Sequence, residues 1–500
     1  MLNQAKTIFI VGIKGVAMAN LAVILKKMGK DVTGSDVSEE FITAGLLKIN
    51  KISWQTGFNP KSLPKNTDLV IYSAAHQGIN NPQIAEAKKK GMKIISQAEL
   101  LGQLTKQFKT TIAVCGCHGK TTTSSLLSYA LIKLGVRPSY MVGSSSFNQY
   151  LGGDFNAKDY FVVEADEYGV NPPHDLTPKF HLLNPNYILC TNIDFDHPDV
   201  YKNINSVKES FLKFFKKNTI LDSGKFKIVN KNLILCADDK NLLDIAKKLP
   251  RKSYLTYGYS KDADLQITNS LIENNYSSFE LQCHPEFISG SDSKKKMLNH
   301  VQHDRLSLGR FAISLFGEKN ISNTAGVALT LLNLGFDPEK IKLAIKGFNG
   351  AKRRFEKVYY GNNIYLFDDY AHHPNEIKAS ISAARSHFPQ KRIVIVFQPH
   401  TYSRTQTLLK DFSTSLSLAD KAFILPIFAS ARENPKQFNI SSKDIEKVQP
   451  GNNIMATSSK KELFQLLTSH LKPHDIVFTM GAGDVYKLKD DIIDIVRKIK

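Results

Sequence analysis

The stretch "VCGCHGKTTTSSLL", residues 114–127, decides the class of fold. It follows an apolar run that is typical of a buried strand, and it leads into a helical pattern. Glycine, lysine and threonine between a strand and a helix are the residues of a phosphate-binding loop, whose strict form is G-x-x-x-x-G-K-[ST]. Gly119, Lys120 and Thr121 match the end of that form, but Val114 stands where its first glycine belongs. The context predicts a nucleotide-phosphate site.

The same stretch has two other interpretations. Cys115, Cys117 and His118 are metal-ligand types, but no second Cys or His pair lies nearby at zinc spacing. A turn without chemistry has little use for Gly-Lys-Thr-Thr-Thr at the start of a helix. We therefore expect Lys120 to neutralise phosphate charge and the Thr121 hydroxyl to ligate Mg²⁺.

The composition is that of a folded, multidomain chain. Its 500 residues exceed one ordinary core, so two or three domains are expected. Apolar residues at 42% and charged residues at 22% are normal for a folded protein, and no apolar run is long enough to cross a membrane. No signal-peptide pattern is present, and the 5 cysteines are irregularly spaced. These features favour a cytoplasmic protein without membrane insertion.

The formal net charge of +20 raises the question of nucleic-acid binding. The lysines occur in scattered pairs such as Lys26–Lys27 and Lys216–Lys217, and aromatic residues are not interleaved with them. We therefore expect a solvated basic surface, which also suits anionic substrates, and no nucleic-acid partner.

Strands and helices alternate over the first hundred residues, which predicts a parallel sheet. After the first strand, residues 12–17 read G-x-x-G-x-A, a relative of the G-x-G-x-x-G dinucleotide fingerprint. Gly12 and Gly15 would let backbone amides approach a pyrophosphate, and Asp36 stands where a ribose-binding acid belongs. Glycines that only make a tight turn are the alternative. An NAD-dependent oxidoreductase would explain this half of the chain but not the phosphate-binding loop.

Acidic residues follow two further apolar stretches, within 160–168 and 187–201. Carboxylates that follow a strand beside a phosphate-binding loop suit the magnesium of a nucleotide, and an imidazole among carboxylates suits Mg²⁺ or Mn²⁺. An exposed acidic loop is the alternative for the first group. The residues concerned are Glu164, Asp166, Glu167, Asp194, Asp196, His197 and Asp199.

Together these pieces resemble one family, the Mur ligases, which form amide bonds with ATP in peptidoglycan synthesis. "GCHGKTTT", "EADEY" and "TNIDFDH" match its central-domain motifs in order, and residues 317–335 are similar to its adenine-side segment. "KRRFE" (352–356), "FDDYAHHPNEI" (367–377) and "VFQPHTYSRT" (396–405) resemble its C-terminal domain. The resemblance covers nearly the whole chain.

The resemblance implies roles for individual residues. Mg²⁺ would be held by Thr121, Glu164 and His197. ATP would contact Gly116, Cys117, His118, Gly119, Lys120, Thr121, Thr122, Asn320, Asn323, Arg353 and Asp369. Catalysis would use Lys120, Glu164, His197, Arg354, His372, His400 and Arg404, with either Arg353 or Arg354 on the transferring phosphate. The substrates would contact Gly12, Gly15, Asp36, Ser73, Tyr370, His372 and Arg404.

The implied reaction activates a carboxylate as an acyl phosphate, because a carboxylate does not condense with an amine in water unaided. Residues 367–377 and 396–405 are most similar to family members that join L-alanine to UDP-N-acetylmuramate. Arg404 would pair with the carboxylate of the amino acid, and His400 would orient it or manage the proton of its amine. Residues 167–185 share features with members that recycle murein tripeptide, which is one alternative. A non-catalytic P-loop switch is the other.

The expected fold is α/β with three domains. Residues 1–106 would form a Rossmann-like domain for the UDP substrate, and residues 107–350 a central P-loop ATPase domain for ATP and Mg²⁺. Residues 351–500 would form a Rossmann-like domain for the amino acid and part of ATP. We expect a monomer or a weak dimer.

Residues 283–305 fit no motif of the family. Their polar, aperiodic composition predicts a tolerated surface insertion, since closing a longer loop costs little extra free energy. A metal-binding loop formed by His284, His300 and His303 is the alternative.

Overall fold

The computed structural model describes residues 2–219, 232–273, 276–283, 301–302, 305–429, 433–449, 451 and 453–499. Three large β-sheets follow one another along this part of the chain, each with helices packed against it. This is the three-domain α/β architecture that the sequence predicts. None of the helices described is long and apolar enough to cross a membrane.

The N-terminal sheet has five parallel strands in the order β3-β2-β1-β4-β5. The strand order reverses beside β1, so the glycine turn after β1 opens at the crevice where such sheets bind ligands. The strands are β1 (Thr7–Val11), β2 (Asp31–Asp36), β3 (Ser53–Thr56), β4 (Leu69–Tyr72) and β5 (Lys93–Ser96). The helices are α1 (Val16–Lys27), α2 (Ala44–Ile49), α3 (Pro82–Lys89) and α4 (Gln97–Thr105).

The central sheet has eleven strands in the order β17-β18-β16-β15-β14-β13-β12-β6-β9-β7-β8. The strands are β6 (Thr110–Cys115), β7 (Ser139–Phe147), β8 (Tyr150–Asp154), β9 (Tyr160–Glu164), β12 (Tyr187–Cys190), β13 (Leu233–Cys236), β14 (Tyr254–Gly258), β15 (Leu265–Glu273), β16 (Tyr276–Cys283), β17 (Val301–Gln302) and β18 (Arg305–Ile313). A separate hairpin is formed by β10 (Gly169–Asn171) and β11 (Asp175–Pro178). The helices are α5 (Lys120–Lys133), α6 (Ile204–Thr219), α7 (Lys240–Ala246), α8 (Glu318–Asn333) and α9 (Pro338–Lys346).

In this sheet β6 lies between β9 and β12 and runs parallel to both. The residues that follow these three strands therefore meet at one edge of the sheet. The phosphate-binding loop, the acids after β9 and the acids after β12 are brought together by this pairing alone.

The C-terminal sheet has six strands in the order β19-β20-β24-β21-β22-β23, parallel except for β19. The strands are β19 (Glu356–Gly361), β20 (Ile364–Asp369), β21 (Ile393–Phe397), β22 (Lys421–Ile424), β23 (Ile454–Ala456) and β24 (Ile476–Met480). The helices are α10 (Pro374–His387), α11 (Tyr402–Thr407), α12 (Leu409–Leu416), α13 (Ser442–Val448), α14 (Lys460–His470) and α15 (Lys489–Lys498).

All five cysteines belong to the central domain, and each is a buried free thiol. Cys115 and Cys190 are register partners on β6 and β12. Burial raises the pKa of the Cys283 thiol to about 12 and holds that of Cys190 well above its ordinary value.

The predicted insertion lies mostly outside the described residues, as do His284, His300 and His303. The strands that flank it are described. Cys283 at the end of β16 is the antiparallel partner of Leu306, and Gln282 is the partner of Ser307. The chain leaves the sheet at Cys283 and returns through β17, whose Val301 pairs with Leu306 on the side opposite Cys283.

Candidate active site

The phosphate-binding loop joins β6 to α5 through two glycines with positive φ, Gly116 at 130° and Gly119 at 82°. A Cβ on Gly116 would lie 2.2 Å from the Thr191 hydroxyl oxygen, and one on Gly119 would lie 3.0 Å from the Asn323 amide nitrogen. Both the backbone angles and the close neighbours favour glycine at these positions. Gly116 thus supplies a turn two places later than the strict pattern, which has its first glycine at Val114.

The Lys120 ammonium is paired with a buried carboxylate. It donates to the Gly116 carbonyl at 2.7 Å and to the two Glu167 oxygens at 3.0 and 2.8 Å. Burial raises the pKa of Glu167 to about 7, although the Lys120 charge lowers it. A phosphate that binds Lys120 has to compete with Glu167 for the ammonium.

Thr121 links the loop to two other predicted site residues. Its hydroxyl donates to Glu164 at 3.3 Å and accepts from the Arg354 guanidinium at 3.0 Å. Glu164 also accepts from the Gly143 backbone amide at 2.8 Å. Arg354 belongs to the C-terminal domain, so two domains meet at the first turn of α5.

The neighbouring Arg353 has different partners. Its guanidinium donates to Asp368 at 3.1 Å and to the Gly481 carbonyl at 2.7 Å, and it lies 4.3 Å from the centre of the Tyr486 ring. All three partners belong to the C-terminal domain. Of the two arginines that the resemblance offers for the transferring phosphate, Arg354 is the one that contacts the loop.

Asp166, Glu167 and His197 form a cluster that can hold a metal. One ligand atom from each lies within 4.8 Å of the others. Burial lowers the pKa of His197 to about 4, so its imidazole is neutral and able to ligate a metal at neutral pH. Lys179 donates to Asp166 at 2.7 Å. Two carboxylates and an imidazole are a donor set that fits Mg²⁺ or Mn²⁺.

Arg404 is buried and paired with an aspartate. Its guanidinium lies 2.9 Å from Asp196 through Nε and 2.8 Å through Nη2. Nη2 also lies 3.5 Å from His197 Nδ1, and Nη1 lies 3.4 Å from the His400 carbonyl oxygen. The predicted pairing of Arg404 with an amino-acid carboxylate stays a prediction, and Nη1 is the atom with most freedom to make it.

A cleft of about 200 Å³ lies next to Arg404, between the central and C-terminal domains. Tyr370, His372 and His400 line it together with Arg404, as do the acids Asp199 and Glu433. Burial lowers the pKa of His372 to about 3, so the imidazole is neutral. The structure therefore gathers the residues predicted for the amino acid around one small cavity.

The residues predicted for the adenine side lie on α8 and at the end of β20. Asn323 packs against the phosphate-binding loop, and Asn320 donates to the Phe316 carbonyl at 2.8 Å. Asp369 accepts from the Ser380 hydroxyl at 2.5 Å. Burial raises the pKa of Asp369 to about 6.

The glycine turn of the N-terminal domain lies beside the predicted ribose-binding acid. The Asp36 carboxylate accepts from the Lys14 backbone amide at 2.6 Å and lies 3.5 Å from His76 Nε2. Gly12 has a φ of 76°, and a Cβ there would lie 3.2 Å from the His76 ring and 3.8 Å from the Ser73 hydroxyl oxygen. Gly12, Asp36, Ser73 and His76 therefore form one local cluster.

The Lys14 side chain is directed away from this turn. Its ammonium donates to the Val37 carbonyl at 2.6 Å and to the Glu39 carbonyl at 2.5 Å. A cavity of about 100 Å³, lined by Ala17 of α1 and by Glu164 and Asp166, lies between the N-terminal and central domains.

Two residues of the site were not singled out by the sequence analysis. Glu376 lies 3.4 Å from His118 and 4.0 Å from Arg354, and Lys179 pairs with Asp166. The position of Glu376, the third residue of α10, is a helix-capping signal that can be read from sequence. Nothing local reveals that its side chain also faces the phosphate-binding loop.

Three family models match the chain. "Mur ligase family, catalytic domain" matches residues 7–109, "Mur ligase middle domain" matches residues 114–331, and "Mur ligase, glutamate ligase domain" matches residues 353–483. The chain belongs to the Mur ligase family, which confirms the resemblance seen in the motifs.

The similar proteins include ligases of known reaction. The curated UDP-N-acetylmuramate–L-alanine ligase of Caldicellulosiruptor saccharolyticus is 34% identical over 490 residues, which span 97% of this chain and 98% of that protein. The UDP-N-acetylmuramate–alanine ligase structure from Thermotoga maritima has a TM-score of 0.74 at 21% identity, with 98% of both chains covered. A murein peptide ligase structure from Psychrobacter arcticus has a TM-score of 0.71 at 21% identity, with 99% of both chains covered. At these identities the two structures show a shared fold.

Proposed function

We propose that this chain joins L-alanine to UDP-N-acetylmuramate and couples the reaction to the conversion of ATP into ADP and phosphate. The observation that carries the proposal is the 34% identity, over 97% of the chain, to a curated relative named for that reaction. The meeting of the phosphate-binding loop, Arg354 and the cleft beside Arg404 supports catalysis over a binding switch. A switch needs a nucleotide site but no second substrate cleft.

The chemistry has two steps that this arrangement suits. The carboxylate of the sugar nucleotide attacks the γ-phosphorus of ATP, which forms an acyl phosphate and releases ADP. The amine of L-alanine then attacks the acyl carbon, the C–O bond to phosphate breaks, and the amine loses a proton. Lys120 and Arg354 would stabilise negative charge on the transferring phosphoryl group. His372 and His400 line the cleft where the amine would lie.

Magnesium is part of the proposal. Thr121 and Glu164, with the neighbouring cluster of Asp166, Glu167 and His197, would hold it. When bound, Mg²⁺ would screen the repulsion between the triphosphate and the attacking carboxylate. We further propose a cytoplasmic protein that is a monomer or a weak dimer.

The test is a coupled assay of ADP release. We expect release to require ATP, UDP-N-acetylmuramate and L-alanine together, and to be abolished by EDTA and restored by Mg²⁺. Faster turnover with murein tripeptide than with L-alanine would favour the recycling ligase, the second candidate that residues 167–185 suggest. ATP binding without amino-acid-dependent ADP release would favour the switch.

A further inference from the structure

A buried carboxylate, Glu376, lies where the C-terminal domain meets the phosphate-binding loop. Its Oε2 accepts from the backbone amides of His372 at 3.0 Å and His373 at 3.3 Å. The second of these contacts closes a capping box at the start of α10. This is an ordinary use of a glutamate at the third position of a helix.

The other oxygen of Glu376 has neighbours that capping does not require. Oε1 lies 3.4 Å from His118 Nδ1 and 4.0 Å from Arg354 Nη1. His118 belongs to the phosphate-binding loop, and Arg354 donates to Thr121. One carboxylate therefore faces a cation from the central domain and a cation from its own domain.

His118 is held from its opposite side by a second carboxylate. His118 Nε2 lies 2.9 Å from Asp194 Oδ2, and Asn375 donates to the same Asp194 oxygen. The carboxylates of Asp194 and Glu376 therefore lie on either side of the His118 imidazole, and both favour its protonated form. The imidazolium thus connects Asp194 of the central domain to Glu376 of the C-terminal domain.

We infer that Glu376 is a positioning residue for phosphoryl transfer, which fixes His118 and Arg354 beside the phosphate-binding loop. The inference rests on the proposed function. It adds to that function a single side chain by which the C-terminal domain aligns two cations beside the phosphate-binding loop. Because Oε2 caps the helix and Oε1 faces His118 and Arg354, the two roles can be separated by experiment.

Glu376→Gln is the decisive variant, because glutamine keeps an oxygen for the helix cap and removes the charge. We expect kcat to fall by about ten-fold or more, since charge-assisted contacts that align the cations are lost. The KM for ATP should stay the same or fall, because a negative charge near the triphosphate is removed. A purely structural role predicts a higher KM and a lower melting temperature instead.

Glu462→Gln is the matched control. Glu462 occupies the third position of α14 in the same domain and accepts from the Ser458 backbone amide at 2.7 Å. Among the described residues it makes its hydrogen bonds with Ser458 and Ser459, away from the site, so its variant should keep the wild-type kcat and KM.

A double-mutant cycle between Glu376 and His118 is the second measurement. In the Glu376→Gln background, His118→Gln should reduce kcat by a clearly smaller factor than in the wild type. Additive losses, or a Glu376→Gln enzyme with the wild-type kcat, would overturn the inference. If Glu376→Gln folds poorly, Glu376→Asp keeps the charge and should still lower kcat, because its oxygen no longer reaches His118.

The wild type separates failure of this inference from failure of the proposed function. A wild type without ADP release in the presence of both substrates refutes the proposed function. In that case Glu376→Gln, His118→Gln and the double variant are compared by the rise in melting temperature that ATP produces in each. Non-additive shifts would support the role of Glu376, and additive shifts would refute it.

Discussion

Lys120 and Glu167 form a buried ion pair, and the binding of ATP would affect the two partners in opposite ways. The ammonium gains a phosphate, and the carboxylate loses its counter-ion. Mg²⁺ held with Asp166 and His197 would then replace the ammonium as the cation beside Glu167, so that the carboxylate does not remain an isolated buried charge. The pair therefore holds the lysine in place without making its release prohibitively costly.

Lys120→Ala should abolish ADP formation while the protein stays folded, because no other lysine projects from the phosphate-binding loop. The measurement is coupled ADP release, with circular dichroism to check the fold. Lys133→Ala, on the last turn of the same helix and exposed, is the control and should retain activity. An active Lys120→Ala enzyme would place the phosphate site elsewhere.

Arg404→Ala should raise the KM for L-alanine more than the KM for ATP, because a lost contact acts on the substrate that makes it. The structure adds a second effect. Removal of Arg404 leaves Asp196 buried without its ion-pair partner, which should lower the free energy of unfolding by about 3–5 kcal/mol. Steady-state kinetics and denaturant unfolding measure the two effects.

Arg385→Ala is the control for this variant, since Arg385 pairs with Asp420 at 2.7 Å on the surface of the same domain. Its effect on unfolding should be within about 1 kcal/mol. An Arg404→Ala enzyme in which only ATP binding is weakened would contradict the assignment of the cleft.

Asp369 gives a pH prediction. Burial raises its folded pKa to about 6 from an ordinary value of 3.8, so its stabilising contribution is present below about pH 4 and is lost as the pH rises through 6. Asp369→Asn should therefore gain stability relative to the wild type between pH 4 and pH 8, by about 1–3 kcal/mol. Urea unfolding across that range is the measurement. A difference that does not change with pH would show that Asp369 is not buried as a neutral acid.

At the scale of elements, the pairing of β16 with β18 on either side of the insertion shows how the insertion can be deleted. Direct joining of Cys283 to Arg305 would leave one residue between Cys283 and Leu306, which are already paired, and one residue is too few for a hairpin turn. Replacement of residues 284–304 by Asn-Gly removes β17 and gives a three-residue loop, Asn-Gly-Arg305, which is a common hairpin length. We expect the shortened enzyme to be soluble and to retain the wild-type kcat. A folded but inactive deletion would show that the segment has a function.

Much of the element pattern could be predicted from sequence. The strands at 7–11 and 93–96 coincide with short continuous apolar runs, whereas the strand at 31–36 has Val32 as its one apolar side chain. The acids of the site were found because they follow strands, but the partners Lys120–Glu167 and Arg404–Asp196 were not. Partnership between charged groups depends on which strands are neighbours in the sheet, and the order β9-β6-β12 cannot be read from local periodicity.

At the scale of the whole molecule, the site is built from separate sheets that contribute one side each. The phosphate-binding loop and its acids come from the central sheet, while Arg354, Glu376 and the amino-acid cleft involve the C-terminal domain. Sequence motifs identified most residues of both groups, but not Glu376. Their contact through His118 and Glu376 required the three-dimensional structure, since 258 positions separate residue 118 from residue 376.

All five thiols are buried in the central domain, so the rate at which they react with a reagent measures how often that domain opens transiently. Because thiolate is the reactive form and burial suppresses it, a reagent such as DTNB should label the native protein only through transient opening. Labelling should be slow, should accelerate in urea, and should slow again when ATP is added, since a ligand that binds the folded protein stabilises it against opening. Cys117, whose sulfur lies 3.1 Å from the Asp194 carbonyl oxygen, should be protected most by the nucleotide. Rapid labelling of five thiols in the native protein would contradict the buried arrangement.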